Sequence, residues 1–415
     1  MSTTYKSRAG DTFSLIAQQT MGVDTGASEI KRANPGISEP IRPGTSIRIP
    51  VDWKNKKGFS ASGLDVKVDG QPIITMPNFT LSTQIDAIRK ASFTVPNEGA
   101  TRALLPPLSQ LDCVVGYNGS TTLTGRINTP QPQASETSKS LVVGAYSACA
   151  LCENSPPPLT AFPMEFERMS LKQIAEQVCE TLGIGVVFDL DPGAKFRRVN
   201  VKQVGDRGTT RKRDTDVSGD ILPFLADLAA QRNFIISDDE FGNLVFWRGE
   251  GTGEPILEID DGVQPDSAVS VSFSDDAYYS SITGVMPSKT RRRGKTYTVQ
   301  NPFFTGLVRP YTYMVEDIDQ GELETAVNST AARMFAGVFS AEINRAGWTD
   351  LNGDRIQVNR LIRFRSPSNY IENWTDLLIS GVTLENDEGS ETAQVTAVLP
   401  SVYSGKMPEV LPWGS

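Results

Sequence analysis

Apolar positions recur along the chain with two different periods, and the changes of period divide it. Near the start, Tyr5-Lys-Ser-Arg reads as a strand, and Gly10-Asp11-Thr12 leads into an amphipathic helix marked by Phe13, Leu15 and Ile16, which Thr12 can cap. A second short helix over residues 28–33 stops at Asn34-Pro35-Gly36, and residues 44–50, Gly-Thr-Ser-Ile-Arg-Ile-Pro, supply a closing strand. Residues 1–50 are thus predicted to form a βααβ unit. Residues 51–63, with Lys54-Asn-Lys-Lys57 and Ser60-Ala-Ser-Gly63, show no period and read as a linker.

Period-two alternation follows. Val66-Lys-Val68 precedes an Asp69-Gly70 turn, and Phe79-Thr-Leu81 to Ile85 and Ala91-Ser-Phe93-Thr-Val95 alternate as half-buried strands. Asn118-Gly119 between residues 111–117 and 123–127 predicts a hairpin, because this pair accepts the positive φ of a type I′ turn. Three prolines at 156–158 mark a boundary, since such a run fits neither sheet nor helix. Beyond it, Ser170-Leu-Lys-Gln173 is a capping-box pattern, and Leu171, Ile174, Val178 and Leu182 form a helical stripe before the strand Val186-Val-Phe188. Ile221, Leu225 and Leu228 repeat the stripe ahead of Phe234-Ile-Ile-Ser and Leu244-Val-Phe-Trp247, which suggests an α/β domain of two similar halves. Alternation returns at Val269 to Phe273 and Ser281 to Val285. A single long helix through Leu323, Val327, Met334, Val338 and Ala341 is predicted to end at Gly347, and strands at 361–365, 378–384 and 394–399 close the chain. The pattern describes a multidomain, β-rich α+β protein.

Composition narrows what such a protein does. At 415 residues the chain has room for two to four cores. No apolar run approaches the about 20 residues that span a bilayer, so no membrane role is expected. The first residues carry no apolar stretch after their charges, and folding in a cytoplasm is expected. Forty basic against 49 acidic residues leave a net charge of −9, which argues against a dedicated nucleic-acid binder with a basic face. The chain contains no histidine, which removes His-assisted nucleophiles, His-ligated zinc and His general bases together.

The remaining candidate chemistry has competing readings. Cys149-Ala-Leu-Cys152 has the spacing of a zinc half-site or a redox pair, against the reading that all four cysteines are buried thiols; no metal and no cofactor is expected. Asp238-Asp-Glu240, Asp260-Asp261 and Asp275-Asp276 can be read as catalytic carboxylates or as solvated loop ends, and the turn residues beside them favour loop ends. Lys289, Arg291, Arg292, Arg293 and Lys295 form a basic loop that can be read as binding DNA phosphates or a partner's acidic edge, against the favoured reading of a mobile solvated loop.

The first 50 residues resemble a LysM module. The resemblance rests on the Gly10-Asp11-Thr12 opening, Ile30 with Asn34-Pro35, and the Pro43-Gly44 to Ile49-Pro50 ending. Downstream, the strand from Ala91 to Pro96, the Asn118-Gly119 hairpin, the Ser170 helix-strand unit and the hairpin from Ile379-Ser-Gly-Val-Thr-Leu384 to Ala397 follow one another as in phage baseplate hub proteins. The likeness is to the Mu-like and late control protein D type, related to the hub part of VgrG spikes.

This resemblance implies a LysM at 1–50, a linker at 51–63, a tail-tube-like β-barrel domain at 64–155, an inserted α/β domain at 156–260, a second tube-like barrel with the long helix at 261–400, and a tail at 401–415. It implies a non-enzymatic homotrimer that joins a hexameric tail tube, or its initiator protein, to a trimeric central spike and lines the channel through which DNA passes. The expected location is the virion tail baseplate, assembled in the host cytoplasm. In glycan-binding LysM modules the ligand loops would here be Gly10, Asp11, Thr12 and Phe13 with Asn34, Pro35, Gly36 and Ile37. The same loops would serve in docking to baseplate wedge or sheath components, with peptidoglycan as the alternative ligand. A cell-wall glycosidase targeted by its LysM is the competing function.

Overall fold

The computed structural model describes residues 3–7, parts of 12–49, and 63–135, 139–156, 165–191, 198–200, 220–249, 251, 253–261, 267–286, 294–315, 322–387 and 390–413. The linker read at 51–63 lies outside them except for Gly63. Residues 1–76, 95–147 and 240–242 form one compact unit, and residues 77–94, 148–239 and 243–415 form another.

The first unit begins with β1 (Thr3–Lys6) paired antiparallel to β2 (Ser46–Ile49), with Tyr5 opposite Ile47. Phe13, Ile16, Ile30, Ala33, Ile41 and Ile47 are buried; Phe13 and Ile16 are among the positions read from the helical period, and Leu15, read with them, lies outside the described residues. Next come β3 (Leu64–Val68) and β4 (Gln71–Pro72). Strands β5 (Asn78–Gln84) and most of β6 (Ala87–Pro96) belong to the second unit. Helix α1 (Gly99–Leu104), β7 (Asp112–Tyr117), β8 (Ser120–Ala134) and β9 (Lys139–Ser147) return to the first. Here β9, β8, β7, β3 and β4 are neighbours in that order, all antiparallel. The predicted hairpin is β7–β8: Asn118 at φ 50° and Gly119 at φ 81° make the turn, and Tyr117 faces Ser120. Strand β9 was not legible, because Leu141-Val-Val-Gly-Ala-Tyr146 has no polar positions to alternate with, although Leu141, Val143 and Ala145 point inward.

The second unit continues with β10 (Glu165–Glu167), α2 (Leu171–Glu180), β11 (Val186–Phe188), β12 (Arg198–Asn200), α3 (Ile221–Gln231), β13 (Ile235–Asp238) and β14 (Leu244–Trp247). The capping box is present as read: Ser170 Oγ accepts from Gln173 N at 3.3 Å, and Gln173 Oε1 accepts from Ser170 N at 2.9 Å. Both helices bury their predicted stripes against β11, β13 and β14, where Phe188 stacks on Phe246 at 4.4 Å and meets Phe234 edge-on at 5.6 Å. Strand β14 is central, parallel to β11 and antiparallel to β13.

The remaining elements are β15 (Leu257–Asp260), β16 (Ser267–Phe273), β17 (Ser281–Met286), β18 (Lys295–Gln300), β19 (Pro310–Met314), α4 (Leu323–Met334), β20 (Phe339–Ala346), β21 (Leu361–Ser366), β22 (Ile371–Asp387) and β23 (Ser390–Val398). Strands β16, β20, β23, β22, β5 and β6 form an antiparallel run, with β21 on β22 and β15 parallel to β21. One face of the run is the core: Phe79, Leu81, Val382, Leu384, Val395, Ile343 and Phe339 are buried there, and Trp348 packs on Phe79 at 5.9 Å. The architecture is β-rich, with large antiparallel sheet structure and few helices.

The long helix is shorter than predicted. It ends at Met334, a 3-10 turn over Phe335–Gly337 follows, and Val338 and Ala341 lie outside it, Ala341 within β20. Phe339-Ser-Ala-Glu-Ile-Asn alternates with period two, and pairing with β16 and β23 outweighs the coincidental helical spacing of Val338 and Ala341. Helix α4 covers the three-stranded sheet β18-β17-β19 through Leu323, Val327 and Ala331. It approaches so closely that a Cβ on Gly284 would lie 2.3 Å from Val327 Cγ2 and 2.9 Å from Val315 Cγ2.

Candidate functional site

Two surfaces emerge from these elements. The first is the pair of loops between β1 and β2. Thr12 O accepts from Ile16 N at 2.9 Å, which sets the first helical turn, and Phe13 is buried. Asn34 is also buried; its Nδ2 donates to Ile30 O at 2.7 Å and its carbonyl accepts from Ile37 N at 3.2 Å. Gly36, at φ 94°, is exposed with open space where a side chain would lie, and Ile37 is half-buried. Of the residues read as ligand loops, Thr12, Gly36 and Ile37 therefore reach the surface, while Phe13 and the Asn34 side chain serve the module's interior. Gly10, Asp11 and Pro35 lie outside the described residues. Sequence reading missed Glu39, whose Oε1 accepts from Phe13 N at 2.6 Å and so ties the chain beyond the second loop to the first. A lone carboxylate two residues past a turn carries no pattern that would single it out.

The second surface is the outward face of β16-β20-β23-β22-β5-β6. One cross-strand row reads Ala268, Asn344, Gln394, Thr383, Ser82 and Lys90; the next reads Ser270, Glu342, Thr396, Gly381 and Gln84. Hydroxyls, amides and small residues dominate, and the side chains that carry charge in these rows are Lys90 and Glu342. The period-two pattern implied a polar face on each strand separately; only pairing aligns the strands into one surface.

The other candidate residues scatter. Asp238 is not a solvated loop end: it is 2% exposed, with Arg89 Nε 3.5 Å from its Oδ1 and the Arg89 backbone N donating to that oxygen at 3.1 Å. Glu240 is likewise buried. Asp260 lies 3.4 Å from Arg365 Nη1, Asp261 accepts from the hydroxyls of Ser366 and Ser368, and Asp275 and Asp276 are exposed. All four cysteines are buried, and among the described residues no three Cys, Asp or Glu side chains converge as metal ligands. Lys295 is exposed at the start of β18; Lys289, Arg291, Arg292 and Arg293 lie outside the described residues.

Comparison with known proteins places both parts of the chain. Residues 5–50 match the LysM domain family. No curated protein matches the chain by sequence. Among solved structures, the chain is similar to the prophage MuSo2 43 kDa tail protein from Shewanella oneidensis, with TM-score 0.67 and 20% identity over 82% of this chain and 99% of that one. It is similar to a tail protein from Neisseria meningitidis MC58, with TM-score 0.67 and 15% identity over 83% and 99%. A component of the E. coli type VI secretion system, described as structurally similar to the T4 bacteriophage tail proteins gp27 and gp5, matches with TM-score 0.50 and 14% identity over 83% and 79%. The chain thus joins a LysM domain to the fold of phage tail proteins.

Proposed function

We propose that this protein is the structural hub of a contractile phage-tail baseplate: a homotrimer that joins the hexameric tail tube to the trimeric central spike, with its LysM docked to surrounding wedge or sheath components. The observation that carries the proposal is the fold likeness, which extends over 82% of this chain and 99% of a prophage tail protein. Residues 64–155 and 261–400 are the two tube-like barrel domains, with the α/β domain of 156–260 inserted between them. Three chains with two such domains each present six similar units in a ring, which resolves the mismatch between threefold spike and sixfold tube. The role is non-enzymatic. An adaptor needs matched edges, and a chain without histidine has few routes to acid–base chemistry at neutral pH.

In this reading the hydroxyl- and amide-rich face of the β16 to β6 run borders the DNA channel. Phosphates bind where Lys and Arg gather and release counterions. A face rich in Ser, Thr, Asn and Gln, whose charged side chains are mostly acidic (Glu342, Glu385 and Asp387 against Lys90), on a chain of net charge −9, lets DNA slide. The basic loop of Lys289, Arg291, Arg292, Arg293 and Lys295 contacts a partner's acidic edge or entering DNA, and the LysM docks through Gly10, Asp11, Thr12, Pro35, Gly36 and Ile37.

Light scattering after size exclusion tests the stoichiometry. A mass three times that of one chain, with negative-stain averages showing a threefold ring and an open centre, is expected; a monomer at micromolar concentration overturns the hub. The purified protein is expected to leave cell-wall suspensions turbid, and clearing would favour the glycosidase instead.

A further inference from the structure

The chain contains two Asn-Gly pairs, and the fold holds them differently. In such a pair the glycine has no side chain to shield its backbone nitrogen or to restrict its dihedrals, so that nitrogen can reach the asparagine's side-chain carbonyl carbon. Asn118-Gly119 closes the β7–β8 hairpin between Tyr117 and Ser120, and β3 flanks it with Leu64 opposite Tyr117. Asn118 N donates to Gly63 O at 2.9 Å, and a Cβ on Gly63 would lie 2.2 Å from Asn118 Oδ1, so this asparagine is pressed against backbone. Turning its side chain onto Gly119 N requires the end of a three-stranded sheet to open. Asn352-Gly353 lies instead in a turn between β20 and β21 whose residues 351–354 are all exposed. Asp350 organises that turn: its Oδ1 accepts from Asn352 N at 2.8 Å and from Asp354 N at 3.0 Å, and its carbonyl accepts from Gly353 N at 3.2 Å. Trp348 and Ile356, both buried, anchor its two ends, so the turn can open while the sheet stays paired.

We propose that Asn352 is a site of covalent self-modification, a deamidation through a cyclic imide that converts it to aspartate and isoaspartate in the folded protein. When the turn opens, Gly353 N gives up its proton and attacks Asn352 Cγ. The new N–Cγ bond closes a five-membered ring, the Cγ–Nδ2 bond breaks, and the amide nitrogen leaves as ammonia carrying that proton. Water then opens the ring. Cleavage of the N–Cγ bond yields aspartate, and cleavage at the former main-chain carbonyl yields isoaspartate, in which the chain continues through Cγ. One water is consumed and one ammonia released, with no change of oxidation state. The product places a new carboxylate in a turn that already carries Asp350 and Asp354, where like charges repel. The isoaspartate form also lengthens the main chain by one methylene, which draws Gly353 N and Asp354 N away from Asp350.

The full-length protein is held at pH 8 and physiological temperature, sampled over weeks, and digested under mildly acidic conditions that stop the reaction. Chromatography with mass spectrometry resolves the peptides carrying Asn118 and Asn352 from their aspartate and isoaspartate forms. In native protein Asn352 is expected to convert at least about tenfold faster than Asn118, because opening the exposed turn costs less than opening the sheet end. In denaturant both pairs meet the same solvent, and the two rates are expected to converge. Asn352→Ser is expected to remove the acidic species that accumulate on isoelectric focusing of aged wild type. Native Asn352 that stays intact over the same interval, or that converts no faster than Asn118, overturns the proposal, as does accumulation of those acidic species at the wild-type rate in Asn352→Ser.

Discussion

Arg89 and Asp238 carry opposite charges into the interior of the second unit, with side-chain exposures of 6% and 0%. Removing one partner leaves the other charge buried and uncompensated, which typically costs about 3–5 kcal/mol. Asp238→Asn should therefore lower stability by that order in urea unfolding, and Arg89→Met with Asp238→Leu should cost less than the two single changes summed. The sequence pattern favoured a loop end for Asp238 and singled out nothing at Arg89; their burial was a tertiary outcome with no local sign. Gly284 is the converse case. Its neighbours Val327 and Val315 stand closer than any Cβ tolerates, so Gly284→Val should destabilise by about 1–3 kcal/mol or more through overpacking, read as a fall in melting temperature. Burial alone pushes the Cys113 thiol up to about 12. It stays protonated across the neutral range, and iodoacetamide at pH 8 should leave it unmodified in folded protein and alkylate it in denaturant.

Elements were legible where local chemistry agreed with packing. The Ser170 capping box could be read from four letters, because both partners lie within one turn and the helix they start buries Leu171, Ile174 and Val178. Ser170→Ala should cost about 1 kcal/mol. A measured change near zero would mean that packing alone positions α2. The Asn118-Gly119 turn was equally plain, since positive φ at two successive positions is a demand few residues meet. The end of α4 was not. Helical spacing and strand alternation coexist between Val338 and Ala346, and the choice falls to β16 and β23, which pair with this segment from elsewhere in the chain. Strands β15, β18 and β19 escaped as well: they are four to six residues long, and β15 and β19 pair with strands that are not their chain neighbours, while β18 pairs back onto β17.

For the whole molecule, the LysM match over residues 5–50 and the tail-protein fold of the remainder agree with a resemblance carried by a handful of ordered motifs. The order of hairpins and capped helices is encoded locally, and so was open to reading. By itself the sequence determined the LysM module, the β-rich texture, the absence of histidine chemistry and the acidic balance, because each depends on composition or on residues within one turn of each other. Tertiary structure alone decided which strands are neighbours, and with them the polar rows across β16 to β6 and the buried Arg89–Asp238 pair. Each of these joins residues far apart in the chain. Such pairings are selected by the burial of apolar faces over the whole sheet, and no window of sequence contains both partners.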